Sequence, residues 1–149
     1  MAVRYGVDHK ITRLLLHIGL LCGEVDKPKE AVQIIRAVRD FRDDIPHPGT
    51  VLAFVYLRMG RMQDAEEELD RVLSKYPDHQ LSKALLGMVY HHTNRTGWQD
   101  LLQEVIDDGR DEWSIRLARN LLGAGTPGVQ SPAGADQFER LAHMQRLYA

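Results

Sequence analysis

The side chains that could support chemistry are few and scattered. His91 and His92 are metal-ligand types, but neighbouring residues on a helix point about 100° apart, so their imidazoles would not converge on one ion. The acidic stretch DDGRDE at 107–112 lacks the alternating oxygen ligands of a calcium loop and instead indicates a helix end followed by a helix start. Cys22 is the only cysteine, which excludes an internal disulfide or a cysteine metal cluster. The sequence therefore predicts neither a metal ion nor a cofactor.

No grouping typical of catalysis stands out. The sequence shows no Ser/His/Asp or Cys/His set, no glycine-rich phosphate loop and no paired carboxylates on one helix face, so we expect no enzyme activity. A net charge of −2 over 149 residues argues against a nucleic-acid partner. The longest apolar run, at 11–23, contains Arg13 and His17 and is shorter than the about 20 residues that cross a bilayer, so we expect no membrane insertion. A reducing cytosol fits the lone cysteine best, so we expect a cytoplasmic location.

Helical spacing of apolar residues dominates the chain, and no stretch alternates with period two. Asp8 and Asp26 are predicted caps of helix starts, Gly60 is a predicted turn, and Gly109 is a predicted helix end. The pattern predicts seven helices, at about 9–23, 28–42, 47–60, 62–76, 79–93, 97–108 and 112–122.

The helix pattern repeats. Tyr56, Ala65 and Leu69 recur 34 residues earlier as Cys22, Ala31 and Ile35, and 34 residues later as Tyr90, with a one-residue shift to Trp98 and Leu102. Small residues at Gly19, Ala53 and Gly87 would let a partner helix approach closely. A 34-residue helix–turn–helix period resembles the tetratricopeptide repeat. We predict an all-α, tetratricopeptide-like array of antiparallel helix hairpins, with about three pairs and a capping helix over residues 1–123.

In such arrays the first helix of each pair lines the inner face. The inner-face positions at the centre of the array are largely apolar, while those at its ends are polar or basic. An apolar trough with polar edges suits the apolar face of an amphipathic helix. The alternative is that individual residues contact the neighbouring repeat instead. The predicted partner-binding residues are Leu16, Leu20, Thr50, Phe54, Leu57, Leu81, Ala84 and Met88.

Two strings carry a closer resemblance, ALLGMVYHHTNRTGWQDLLQEVIDDG at 84–109 and SIRLARNLLG at 114–123. The chain resembles, to about residue 123, small tetratricopeptide-like proteins encoded with bacterial type III secretion systems. The resemblance implies a cytosolic chaperone that holds the amphipathic helix of a self-polymerising needle or filament subunit. Three or four apolar anchors would give only modest affinity after association costs, so a second chaperone or a homodimer is a further predicted partner. The alternative is a structural adaptor that binds another component, or itself, through its ends or its outer face around Glu66–Glu68.

The composition changes after residue 123. Residues 124–136 are rich in glycine and proline and are predicted to form a flexible linker. Residues 137–149 carry Phe138, Leu141 and Met144 at helical spacing and are predicted to form a short amphipathic tail helix. A third hypothesis is that this tail occupies the groove until a client displaces it.

Overall fold

The structure, a computed structural model, describes residues 8–124, and all regular elements in that range are α-helices. Each predicted helix is present, with its ends within two residues of the predicted ones, so the all-α hairpin array is confirmed. The helices are α1 (His9–Glu24), α2 (Pro28–Phe41), α3 (His47–Arg58), α4 (Met62–Lys75), α5 (Gln80–His92), α6 (Trp98–Asp108) and α7 (Glu112–Ala124).

The helices form a stack of antiparallel pairs. α1 packs on α2, α3 on α4, and α5 on α6, and the pairs are joined by contacts of α2 with α3 and of α4 with α5. α7 packs against both α5 and α6 and ends the stack. The first helices therefore lie side by side in the order α1, α3, α5, α7, with α1 and α7 at opposite ends.

The turns inside the three pairs repeat at the 34-residue period. Each has one residue with positive φ: Asp26 at 61°, Gly60 at 71° and Asn94 at 53°. In each turn the next backbone N–H donates back to the carbonyl five residues earlier, a helix-closing bond of the Schellman type. These bonds are Lys27 N to Cys22 O at 2.8 Å, Arg61 N to Tyr56 O at 2.9 Å and Arg95 N to Tyr90 O at 2.9 Å.

The same turns correct one capping prediction. Asp26 does not cap α2, because it adopts the left-handed turn conformation and α2 begins from Lys27 without a side-chain cap. Aspartate is among the residues that tolerate this conformation, which is the physical reason for its place here. Asp8 does cap α1, accepting a bond of 3.3 Å from the Lys10 backbone N–H.

Glycines set the spacing within all three pairs. Besides the two predicted ones, Gly49 of α3 would place a Cβ atom 2.5 Å from Val72 of α4. A Cβ atom on Gly19 would lie 2.5 Å from Ile35, and one on Gly87 would lie 2.7 Å from Leu102. Ile35 and Leu102 are fully buried, so each glycine makes room for a large side chain of the second helix. The predicted close approach at these small residues and the one-residue shift to Leu102 are both confirmed.

α7 continues through Ala124, so the first residue of the predicted linker is helical. The rest of that linker and the predicted tail helix lie outside the described residues, as do residues 1–7. Their predicted structure, including occupation of the groove by the tail, stays a prediction.

Candidate protein-docking surface

The eight predicted partner-binding residues lie on α1, α3 and α5, and nearly all of them are buried. Seven expose 8% of their surface or less, and Leu81 alone is half-buried. Since a partner contacts exposed surface, seven of these side chains offer it almost none in this conformation. Their role in binding stays a prediction that requires the partner to displace groups already packed there.

The structure brings most of the eight into one place. Leu20, Phe54 and Met88 occupy the same position in three successive first helices and belong to one apolar cluster. Thr50 lies beside them and shares a hydrogen bond of 2.9 Å with the hydroxyl of Ser82 on α5. The inner side of the array is therefore a continuous apolar row, which ends in buried hydroxyls near the helix N-termini.

A histidine lies next to these hydroxyls. His79 precedes α5, and its Nδ1 is 2.8 Å from the hydroxyl of Ser82. Its ring meets the His47 ring edge-on at a centroid distance of 5.7 Å. Burial, assisted by the charge of His47 and opposed by Asp111, lowers the pKa of His79 to about 4. The imidazole is therefore neutral at physiological pH. The sequence analysis did not identify His79 as a candidate functional residue.

Among residues 8–124, most of the exposed large apolar side chains lie on the outer side of α1. Five side chains that face away from α2 are between 38% and 64% exposed. They follow one another at spacings of three and four residues, so they form a single line along the helix. We call this line the apolar stripe: Ile11, Leu14, Ile18, Leu21 and Val25.

α1 is thus apolar on two sides. Its buried side carries Leu16, Gly19 and Leu20, with Gly19 against Ile35 of α2, while the apolar stripe covers the other side. A helix that is hydrophobic all round is normally buried on both sides. α1 therefore has the character of an internal helix, although it is the first element of the described array.

The opposite end of the array differs. α7 packs on α5 and α6 through Leu117, Ala118 and Leu121. Its exposed positions carry no large apolar side chain and are occupied by Glu112, Arg116, Arg119, Asn120 and Gly123. A polar outer face is what the end of a helical array needs in water. α7 has this face and α1 does not.

Charges flank the apolar stripe. Lys10 lies near its start and Glu24 near its end, with His17 midway between them on the same flank. All three precede a stripe residue by one position. Neither Lys10 nor Glu24 takes part in an ion pair with another residue between 8 and 124.

The predicted acidic outer face contributes to stacking. Arg39 of α2 pairs with Glu68 of α4, and Arg95 pairs with Glu66. Burial raises the pKa of Glu68, although Arg39 opposes that shift. Two of the three glutamates therefore hold neighbouring elements together, and Glu67 is the exposed one of the three.

Within the described range no three His, Cys, Asp or Glu residues are grouped closely enough to hold a metal ion. None of the helices between residues 8 and 124 combines the length and the apolar character needed to cross a membrane. Cys22 is half-buried against the core and carries a free thiol.

A protein-family model described as "Bacterial type III secretion protein (HrpB1_HrpK)" matches residues 5–126. The chain belongs to this HrpB1_HrpK family. The match covers all seven helices, including α1 with its apolar stripe. The resemblance drawn from residues 84–109 and 114–123 is thereby confirmed at the level of a type III secretion protein. A search of curated proteins gives no match.

Among solved structures, this HrpB1_HrpK protein is similar to the Sgt2 TPR domain from Aspergillus fumigatus. The TM-score is 0.61 at 16% sequence identity, and the alignment covers 85% of this chain and 93% of the other. At this identity the similarity shows the fold, and it confirms the tetratricopeptide-like arrangement. Family and fold together support a role in secretion through protein binding, of a kind that is typically non-catalytic.

The apolar stripe is visible in the sequence but was not singled out as a surface of the HrpB1_HrpK protein. All of its residues except Val25 lie in the longest apolar run, where buried and exposed positions alternate every one or two residues. The sequence gives the two apolar sides of α1, but only the packing on α2 decides which side is free.

Proposed function

We propose that this chain is a non-catalytic structural adaptor of the type III secretion apparatus and that it binds a protein through the apolar stripe. The observation that carries the proposal is the exposure of five large apolar side chains at one end of an array whose other end is polar. Large exposed apolar patches on otherwise ordinary protein surfaces mark sites of interaction.

The size of the apolar stripe sets the strength of such binding. Burying a large apolar side chain completely contributes about 1.5–3 kcal/mol. Five side chains that are already about half covered would contribute on the order of 4–8 kcal/mol. Association costs an estimated 4–15 kcal/mol, so the stripe alone supports weak, reversible docking. Complementary charges on its flank would add specificity and some affinity.

Secretion assays with stripe variants test this proposal. A bacterium that lacks its own copy of the gene would receive wild-type protein, the Leu14→Glu/Leu21→Glu double variant, or Arg119→Glu as a matched charge change on the polar end. Both leucines are more than half exposed, so the double variant should fold, which circular dichroism checks. We expect the double variant to lose secretion and Arg119→Glu to keep it. Normal secretion by the folded double variant would overturn the proposal.

A chaperone role is the second candidate, and the continuous inner row favours it. Leu20, Phe54 and Met88 repeat at one position of three first helices, which is the arrangement a long apolar helix could follow. The client would be the amphipathic helix of a needle or filament subunit, kept from polymerising before export. Because the row is buried, this role requires the inner side to open when the client enters.

Leu81 provides the test, because it is the one member of the predicted set that is half-buried. We expect Leu81→Glu to abolish copurification with a coexpressed needle or filament subunit, while Glu67→Lys on the outer side leaves it intact. If folded Leu81→Glu still holds the subunit, the inner row is not its binding site. The chaperone role requires the predicted cytoplasmic location, because the subunit must be held before export. Cell fractionation tests this location.

A further inference from the structure

The apolar stripe has the spacing of a coiled-coil seam. Its residues fall at alternating intervals of three and four, so Ile11, Ile18 and Val25 take the a positions of a heptad and Leu14 and Leu21 take the d positions. Apolar residues that repeat every 3.5 positions form the a and d seam through which two helices pack against each other in a coiled coil. The seam extends over two heptads on a helix face to which no other described helix is packed.

We infer that the apolar stripe is covered by α1 of a second copy of this chain, with the two helices antiparallel about a two-fold axis near Ile18. The inference rests on the proposed docking role of the stripe and names its partner. Dimer formation through the apolar stripe does not depend on a needle or filament subunit being present.

The flanking charges favour this occupant. Lys10, His17 and Glu24 are one heptad apart at the g positions beside the seam. In an antiparallel pair g positions face g positions, so Lys10 lies opposite Glu24 of the second copy, and the reverse pair forms by symmetry. The stripe is therefore complementary to itself in charge as well as in apolar character.

A parallel pair lacks this complementarity. There g positions face e positions, so Lys10 would lie opposite Leu15 of the second copy and His17 opposite Cys22. Neither leucine nor cysteine would pair with these charges. The ends of the stripe thus select the antiparallel direction, with His17 meeting its equivalent at the axis.

The interface is small. Five half-exposed side chains in each copy place it at or below the lower end of stable complexes, which bury about 1,200 Å² in total. We therefore expect a reversible dimer whose population rises with protein concentration.

Sedimentation velocity of the full chain at pH 7.5, from low to high micromolar concentration, measures this equilibrium. We expect wild type and Arg119→Glu to shift from monomer to dimer, and Leu14→Glu/Leu21→Glu to remain monomeric while showing the same helical circular dichroism. A wild type that stays monomeric throughout would overturn the inference, as would dimers that survive in the double variant.

A charge exchange tests the antiparallel direction. Lys10→Glu places two acidic pairs across the seam and Glu24→Lys two basic pairs, so each should weaken the dimer about tenfold. The combined Lys10→Glu/Glu24→Lys variant restores opposite charges and should recover wild-type dimerisation. Failure of the combined variant to recover would overturn the antiparallel arrangement.

The two proposals can fail separately. If wild type is monomeric but the folded stripe variant still loses secretion, the second copy is refuted and the adaptor role stands with another protein on the stripe. If the dimer forms through the stripe but secretion does not depend on it, the adaptor role is refuted and the second copy remains the occupant.

Discussion

Replacing His79 with asparagine should remove a specific part of the pH dependence of folding. The imidazole lies at the N-terminus of α5, bonded to Ser82 and edge-on to His47. A positive charge is disfavoured there by burial, by His47 and by the helix dipole, while Asp111 partly compensates. Asparagine can retain a hydrogen bond to Ser82 and is a favourable residue at a helix start, but it does not titrate.

The magnitude follows from the pKa. The folded-state pKa of His79 is about 4, against an ordinary value of 6.5, so the folded state binds this proton less readily than the unfolded chain. Its contribution to stability is present above pH 6.5 and is lost as the pH falls from there towards 4. The linkage relation gives a loss of about 2 kcal/mol between pH 7.5 and 5, and about 3 kcal/mol by pH 4.

Urea unfolding at a series of pH values measures this loss. The wild type and His79→Asn should differ in free energy of unfolding by an amount that changes by about 2 kcal/mol between pH 7.5 and 5. His92→Asn, the same substitution at an exposed position on the same helix, serves as the matched control. Parallel pH profiles for wild type and His79→Asn would refute the assignment of a buried neutral imidazole.

Three other substitutions test the packing, each by urea unfolding at pH 7.5. Gly87→Ala should destabilise the protein by about 1–3 kcal/mol, because the added Cβ would lie too close to Leu102 of α6. The control Gly123→Ala adds a Cβ with no neighbour within 4 Å and should be neutral or stabilising by up to about 1 kcal/mol. Equal effects of the two substitutions would contradict the packing argument. Ile35→Ala should cost about 2–5 kcal/mol, since the side chain is fully buried, and a cost under about 1 kcal/mol would contradict that burial. Asp111→Ala should lower the free energy of unfolding by about 1 kcal/mol, because the Asp111 carboxylate accepts hydrogen bonds from two backbone N–H groups at the start of α7. An unchanged free energy of unfolding would mean that those bonds do not stabilise the helix.

The helices and their pairing were predictable because each signal is local. Apolar spacing, glycine at turns and the 34-residue period all depend on residues within one hairpin. The glycine at 87 and the leucine at 102 could be matched from the sequence because the repeat places them in the same roles as Gly19 and Ile35. The role of Asp26 was missed, since an aspartate before a proline fits a helix cap as well as a left-handed turn.

The candidate site was harder to predict, because exposure depends on how the hairpins stack. The repeat identifies Leu20, Phe54 and Met88 as equivalent inner positions, but it does not give the distance between neighbouring first helices. In the structure that side is buried, and the free apolar surface lies instead on the outer side of α1. The same ambiguity explains His79, which meets the His47 ring of α3 and the charge of Asp111 beyond α6, both distant from it in sequence.

The polar face of α7 determines how far self-association could proceed. A helical array with apolar surfaces at both ends would associate head to tail with further copies, without a limit on the length of the assembly. Of the two ends of the array between residues 8 and 124, only the one at α1 carries an apolar stripe, and pairing by a two-fold axis uses that surface in both copies at once. Two arrays joined in this way would both present α7 to water, so a closed dimer is the assembly expected from the described helices.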